Sequence, residues 1–437
     1  MNIRKLVKKT DKKRFRISVV GTGYVGLITG AGLAKLGHNV ICVDIDQEKV
    51  DKINKKEPSI YEKGLKELLN ELVPKNLEAT TNLTKAISNS QITFICVGTP
   101  SRKKGDTYFK QLDTVSKDIG IALKQKNKPH LVVVKSTVVP ETTEKIVIPL
   151  IQENSGKKYG IDFGVVMNPE FLREGSALND FFNPDRIIIG SSDKKSLNTL
   201  KQLYSNFKCP ILETSFKEAE MIKYASNSFL ATKLSFINEI GNVCKRLGIN
   251  TNIIAKGIGL DYRISPHFLR PGIGFGGSCF PKDVSAIIFK ATEVGYNTRL
   301  LRAVLDVNKD QPLKLLEILE DTGPLKARKI AILGLAFKAG TDDTRESPAL
   351  NIIKELLLEE SKLHIYDPMA MPHVKNLFPH LNYEKTAQDA VNNSDIVLIL
   401  TEWPEFKNIN YGNKLVIDGK NLFDNNSRPK NYEGICW

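Results

Sequence analysis

No apolar run in this chain approaches the ~20 residues that a membrane-spanning helix needs, which excludes a helical membrane protein. The basic start, MNIRKLVKKTDKKR, leads into a strand-like segment and not into the apolar core of a leader, so it is not a signal peptide and a cytoplasmic protein is expected. Cysteine is sparse. The six, at positions 42, 96, 209, 244, 279 and 436, show no C-x-x-C spacing, which argues against both a zinc site and a disulfide framework. The formal net charge of +14 is spread along the chain without a recognisable nucleic-acid motif. A solvated surface with a few phosphate-binding residues accounts for it, with neither nucleic acid nor membrane as partner.

What is present is a chain of 437 residues, 41% hydrophobic and 26% charged, long enough for two or three globular domains. The stretch that organises it is RPGIGFGGSCFPKD, Arg270 to Asp283. Gly272, Gly274, Gly276 and Gly277 suit a backbone that takes unusual φ/ψ or lets a ligand come close. Pro281, just after Cys279, predicts the start of a helix whose N–H groups and dipole face the thiol. Such a setting, with Lys282 nearby, lowers a thiol pKa and makes a nucleophile. A buried structural cysteine in a turn is the plainer alternative.

Ahead of this stretch, FRISVV reads as a buried strand running into GTGYVGLITGAGLAKLGHNVICVDID. Gly21, Gly23 and Gly26 form G-x-G-x-x-G between strand and helix, and Asp44 closes the next strand, as a dinucleotide fingerprint requires. The glycines seat the pyrophosphate on the helix N-terminus, and Asp44 favours NAD by binding ribose hydroxyls and repelling a 2′-phosphate. Tyr24 and Val25, within the fingerprint, are cofactor candidates too. Further apolar runs alternate with helical patterns, which predicts a parallel sheet covered on both faces. Thr99, Ser136, Thr137 and the segment from Asn168 to Glu174 fall at strand ends, where such sheets bind ligands. A helical turn there would put Glu170 and Glu174 on one face.

From Phe216 a long helical pattern begins, with Lys223 and Asn227 one turn apart and an apolar stripe suited to a dimer spine. From Arg328 the opening design repeats as strand, Gly334, loop, helix and a strand ending in Asp367. It lacks the glycine fingerprint and carries Lys338 and Arg345, so it suits a different phosphate ligand. The predicted class is α/β, with an N-terminal Rossmann dinucleotide-binding domain, a central helical domain and a C-terminal Rossmann-like domain. The expected boundaries are a basic extension over 1–14, then 15–215, 216–320 and 321–437. An NAD site with a nucleophilic cysteine suggests aldehyde oxidation through a thiohemiacetal and a thioester.

Beyond the extension, GTGYVG, SIYEKGL, NPEFLREGSALNDFFNPDRIIIG, KYASNSFLATKLSFINEI, GLDYRISPHFLRPGIGFGGSCFPKD and the FK…TDDTRESP loop closely resemble the UDP-glucose 6-dehydrogenases, within the NAD-dependent nucleotide-sugar dehydrogenases. The resemblance implies three domains, the last binding UDP, a homodimer through the central helices, and oxidation of the sugar C6 alcohol to a carboxylate in two hydride transfers. It implies Cys279 as nucleophile, Lys223 and Asn227 as oxyanion donors, and Asp283 in proton transfer or water activation. Thr137 and Glu174 would position the water, and Glu170, Phe171 and Leu172 would meet the sugar. Phe275 and Gly276 would border the nucleotide-sugar, Lys338 and Arg345 would contact substrate phosphate or cofactor, and Arg263 would reach the partner subunit's substrate. UDP-glucose is the first substrate. ICVGTPSRKKGD, FKAGTDD and EGICW also resemble GDP-mannose dehydrogenases, which come second, and GGSC departs from the GGHC of UDP-N-acetyl amino-sugar dehydrogenases, which come third.

Overall fold

The structure is a computed structural model that describes residues 13–102, 104–424 and 426–437, so most of the basic extension lies outside it. The chain divides into two compact units, 1–225 and 226–437.

The first unit is built on an eight-stranded sheet. Its strands are β1 (Arg16–Val20), β2 (Asn39–Val43), β3 (Leu77–Thr80), β4 (Ile92–Ile95), β5 (His130–Val134), β6 (Phe163–Met167), β7 (Ile187–Gly190) and β8 (Ile211–Thr214). They lie in the order β3-β2-β1-β4-β5-β6-β7-β8. Alternation of side chains along each strand feeds two cores. On β5, Leu131 and Val133 enter one face while Val132 and Val134 enter the other, all at most 5% exposed. Each such aliphatic contributes roughly 1.5–3 kcal/mol by burial, which explains why the runs are apolar throughout and not alternating. The sheet departs from the all-parallel expectation at one place: β7 meets β6 antiparallel, through Met167 and Gly190, and β8 follows β7 in parallel.

The second unit contains most of a 31-residue helix (Phe216–Arg246), a helix that starts just after Cys279 (Phe280–Glu293), a third long helix (Arg299–Glu320) and a second sheet. That sheet comprises β9 (Lys329–Leu333), β10 (Lys362–Tyr366), β11 (Asn382–Tyr383), β12 (Ile396–Ile399), β13 (Leu415–Asp418) and β14 (Asn431–Gly434). Its order is β11-β10-β9-β12-β13-β14 and all its pairings are parallel. Period-2 burial recurs, with Ile330 and Ile332 on one face of β9 and Ala331 and Leu333 on the other. The tail NYEGICW is not a loose end. It supplies β14, and Cys436 is buried against Gly241, where a Cβ would lie 2.7 Å from its sulfur. Among the described residues no helix is long and apolar enough to cross a membrane.

Candidate active site

In the first unit, β1 ends at Val20 and the glycine loop begins. Gly21 has φ +90°, and a side chain there would run into the Cys96 carbonyl at 2.8 Å. A Cβ on Gly26 would lie 1.7 Å from the Gly21 carbonyl oxygen, so the helix Tyr24–Lys35 approaches the loop as closely as it does only because that position is glycine. Gly23 differs from both. It is exposed, caps that helix without a side-chain hydrogen bond, and a Cβ on it would meet nothing within 4 Å. Backbone N–H groups at a helix start, bordered by open space, are what a pyrophosphate needs.

Asp44 follows β2 and is half-buried. Its Oδ2 accepts hydrogen bonds from the Thr22 backbone N–H and hydroxyl, both at 2.7 Å, and its Oδ1 accepts one from Asp46 N–H at 3.1 Å. Burial acts to raise its pKa, but these bonds outweigh burial and the carboxyl stays below its ordinary value. It is thus an anion at neutral pH, fixed in direction beside the glycine loop, as ribose recognition demands. The loop and Asp44 fit a dinucleotide. Val25 is half-buried in the first helical turn, and the Thr99 hydroxyl donates to the Thr137 carbonyl at 2.7 Å.

Tyr24 behaves differently from a plain cofactor contact. Its hydroxyl donates to Glu62 of the SIYEKGL segment and accepts Gly175 N–H at 2.6 Å. Glu62 also accepts Leu178 N–H at 3.2 Å. Burial and Glu62 raise the Tyr24 pKa. One buried carboxylate therefore ties three segments far apart in sequence, and no local pattern announces it.

The segment after β6 does not form the helical turn expected for Glu170 and Glu174; it is irregular through Leu172. The reason is Glu170 itself. It is 7% exposed and accepts Leu172 N–H at Oε2, a local bond that competes with helix, while Oε1 accepts Lys223 Nζ at 3.0 Å. Lys223 also lies 5.4 Å from the Phe171 ring centre, with Arg186 packed over that ring at 3.9 Å. Glu174 lies in the next turn, half-buried, and adds to the negative field at Tyr24.

Beside Glu170 a cavity of about 180 Å³ is lined by Lys135, Asn168, Tyr204 and Arg186 among others. Lys135, at the end of β5, donates to Asn168 at 3.1 Å, and Tyr204 donates to the same oxygen at 2.6 Å. Burial lowers the Lys135 pKa; Cys96 and Glu170 oppose that and Lys223 adds to it. Sequence reasoning passed over this lysine, although a Lys closing an apolar strand was signal enough.

In the second unit Cys279 caps the helix Phe280–Glu293, with Pro281 in its first turn. The predicted helix start is there. All six cysteines are described, and Cys279 is the exposed one. Burial pushes the thiols of Cys42, Cys96 and Cys436 up to about 12, which keeps them inert. One turn into the helix, Asp283 is 1% exposed and donates its N–H to the Cys279 carbonyl at 2.8 Å. Its carboxylate accepts Asn227 Nδ2 at 2.6 Å and pairs with Lys282. Lys223 and Asn227, one turn apart on the long helix, are therefore each paired with a carboxylate.

The glycines of this loop have a packing reason. A Cβ on Gly276 would lie 2.2 Å from the Glu346 carbonyl, one on Gly277 2.8 Å from the Phe337 ring, and one on Gly274 2.9 Å from Asn308 Oδ1. The close approach expected of a ligand is thus made, at these positions, by the FK…TDDTRESP loop and the helix Arg299–Glu320. Gly277 N–H also donates to the Arg345 carbonyl at 2.9 Å. Phe275 is 6% exposed, its ring edge-on to Phe280 with centroids 5.8 Å apart. The Arg345 guanidinium forks onto Asp343 and that of Arg263 onto Asp261, both with exposed arginine side chains. Lys338 lies 5.5 Å from the Phe337 ring centre.

Comparison with known proteins adds what geometry alone does not. Residues 15–208 match the NAD binding domain of the UDP-glucose/GDP-mannose dehydrogenase family, 217–310 its central domain and 331–425 its UDP binding domain. A UDP-glucose 6-dehydrogenase of Haloferax volcanii is 41% identical over 416 residues, covering 93% of this chain and 96% of that one. A GDP-mannose 6-dehydrogenase of Azotobacter vinelandii is 39% identical, covering 97% of this chain and all of its own. The solved UDP-glucose dehydrogenase of Pyrobaculum islandicum superposes with a TM-score of 0.94 at 39% identity, over 99% of this chain and 100% of that one. With a dinucleotide loop that fits NAD and a three-domain match along its length, this chain belongs to the UDP-glucose/GDP-mannose dehydrogenase family, as an NAD-dependent nucleotide-sugar dehydrogenase.

Proposed function

We propose that the chain oxidises UDP-glucose to UDP-glucuronate in two steps through Cys279. The observation that carries the reading is the exposed thiol at a helix start, one turn from the buried Asp283. NAD, when bound, would supply the hydride acceptor, one molecule for each of the two oxidations. Loss of the C6 hydroxyl proton and a hydride from C6 gives the aldehyde. The Cys279 thiolate adds to that carbon, and Lys223 and Asn227 donate to the oxyanion that forms. Loss of a second hydride leaves a thioester; water then breaks the C–S bond, releasing the carboxylate and the thiol. Asp283 takes part in proton transfer or activates the water, which Thr137 and Glu174 position. Glu170, Phe171 and Leu172 meet the sugar, and Lys338 and Arg345 the phosphates.

The UDP binding match over 331–425 and the Haloferax relative favour UDP-glucose. The Azotobacter relative makes GDP-mannose the second reading. The test is NADH formed per sugar consumed, with each nucleotide-sugar offered separately to wild type and Cys279→Ser. Two NADH per UDP-glucose, with the variant unable to release free uronate, is the expected result. Two per GDP-mannose would keep the chemistry and change the substrate; one NADH, or a rate indifferent to the variant, would overturn the reading.

The functional unit we propose is a homodimer. Phe229, Phe236 and Val243 recur every seven residues on the long helix and are 65%, 49% and 52% exposed, an apolar stripe that a second copy would cover. Phe236→Glu is expected to give a monomer in sedimentation; an unchanged mass would remove this interface.

A further inference from the structure

Thr137 lies in a segment gripped by a carboxylate that no motif singles out. Glu220 sits on the long helix one turn before Lys223 and has no exposed surface. Its Oε1 accepts Thr143 N–H at 2.8 Å and the Thr143 hydroxyl at 2.6 Å, and its Oε2 accepts Glu141 N–H at 2.7 Å. The backbone it holds is unusual. Glu141 has φ +83°, in the left-handed region that costs a non-glycine residue about 1–3 kcal/mol, and Thr143–Val147 forms a π-turn ahead of the helix Ile148–Ser155. Such a conformation persists where its surroundings over-determine it, and three bonds from one buried carboxylate do so. On the other side, Thr99 donates to the Thr137 carbonyl at 2.7 Å. Thr137 is thus held at its own carbonyl by Thr99, while Glu220 anchors the chain four and six residues further on.

The segment that Glu220 grips also carries a chain of ion pairs. Glu141 pairs with Lys145 at 2.9 Å, and Lys217 reaches Glu141 at 3.6 Å and Glu144 at 3.7 Å. Burial pushes the Glu220 carboxyl up to about 7, Glu144 adds to that, and the bonds from Thr143 and Glu141 restrain it. An ionisable group kept in so dry a place costs stability, and a hydrophobic residue would fill the volume more cheaply. What it does uniquely is fix the Pro140–Thr143 backbone to the helix that carries Lys223.

We propose that Glu220 is a positioning residue for the hydrolytic half of the reaction, holding the Thr137 segment in register with the long helix. The proposal rests on the reading above, in which Thr137 helps place the water that cleaves the thioester. Glu220→Gln keeps the shape but turns an NH₂ toward one of the N–H donors, so one grip is lost.

The experiment uses the full chain with NAD and whichever nucleotide-sugar it turns over, comparing wild type, Glu220→Gln, Thr137→Ala and the double variant. Steady-state mixtures are acid-quenched and the acyl adduct on Cys279 is read by intact-protein mass. Glu220→Gln is expected to lower kcat about tenfold with KM unchanged, a displacement of well under 1 Å at a reacting group being enough for that. The adduct fraction should rise, and the double variant should be no slower than Thr137→Ala, because the two residues act as one unit. A Glu220→Gln enzyme as fast as wild type beside a slow Thr137→Ala overturns the positioning role alone, and so do additive losses. A wild-type rate in Thr137→Ala instead removes the reading of Thr137, and the positioning role with it. Should Glu220→Gln fail to fold, Thr143→Val removes a single donor, and the same pattern at smaller amplitude is required of it.

Discussion

In the first sheet β1 runs into Gly21 and β2 into Asp44; in the second, β9 runs into Gly334 and β10 into Asp367. The local bonding is the same. Gly21 N–H donates to the Val43 carbonyl and Gly334 N–H to that of Tyr366, each at 2.8 Å. The next residue, Thr22 or Leu335, donates its N–H to the aspartate at 2.7 Å, and the residue two beyond the aspartate, Asp46 or Met369, donates back to it. The difference lies outside this frame. Asp367 also accepts Ala336 N–H, Ala370 N–H and the Trp403 indole, and has no exposed surface, whereas Asp44 keeps a half-buried edge. The indole takes up acceptor capacity on the Asp367 carboxylate that a ligand hydroxyl would otherwise need. A dinucleotide frame is thus kept as architecture in the second sheet and as a binding site in the first.

The comparison can be broken most forcefully at Asp367. Asp367→Ala strands five donors, and at roughly 1–3 kcal/mol for each buried unpaired group the chain should lose at least about 4 kcal/mol in urea unfolding. A loss under about 1 kcal/mol would mean that this carboxylate is no keystone. Gly26→Ala and Gly23→Ala sharpen the contrast within the first sheet. The former forces a Cβ against the Gly21 carbonyl, and NAD affinity by titration should fall at least ~100-fold, about 2.7 kcal/mol. The latter has open space around it, so the unfolding midpoint should hold while NAD weakens, showing that the space belongs to the ligand. Asp44→Asn comes next, with NAD binding weakened about tenfold, about 1.4 kcal/mol, and the preference over NADP narrowed because the 2′-phosphate is no longer repelled. Equal loss for both cofactors would assign Asp44 to the loop alone.

The smallest effect is on pH. The Asp44 carboxyl is depressed, so its contribution is present above the ordinary carboxylate pKa and is lost as pH falls through the lowered folded value. Asp418, closing β13, is the reverse: burial raises it, against bonds from Lys420, Tyr432 and Leu422. The native state therefore holds its proton to higher pH than the unfolded chain does, and stability falls as pH rises through the ordinary carboxylate range toward the raised value. Unfolding midpoints across that range should show Asp44→Asn losing part of the wild type's sensitivity to acid, and Asp418→Asn losing part of its decline with rising pH. Slopes of the same sign in both would contradict the assignment.

The dinucleotide loop was legible because its chemistry is local: three glycines and an acid at fixed spacing within one βαβ unit. The helix start at Cys279 was legible for the same reason, since Pro281 fixes its own φ. Glu170 was expected to share a helical turn with Glu174 and lies instead in an irregular segment, because its carboxylate is taken by Leu172 N–H and by Lys223, a partner 53 residues away that no i, i+4 rule foresees. The glycines of the cysteine loop were read as serving unusual φ/ψ or the close approach of a ligand; Gly274 and Gly277 do take positive φ, and the close approach at Gly274, Gly276 and Gly277 is made by Asn308, Glu346 and Phe337. Glu62, Lys135 and Glu220 were not singled out, Glu62 being one residue of the SIYEKGL motif and the other two each one ionisable residue in an ordinary apolar or helical context.

By itself the sequence determined the two α/β sheets, the long helix that follows the first in the chain and the helix start at Cys279, because burial periodicity, glycine spacing and proline act over a few neighbouring residues. Only the tertiary structure decided which carboxylates are satisfied and by whom: Asp44 left with an open edge and Asp367 closed by Trp403, Glu170 given to Lys223, Asp283 to Asn227, and Glu220 to the backbone beyond Thr137. A buried charge takes its partner from whatever the packed chain brings within about 3 Å, and that distance is set by the fold as a whole, not by the residues on either side.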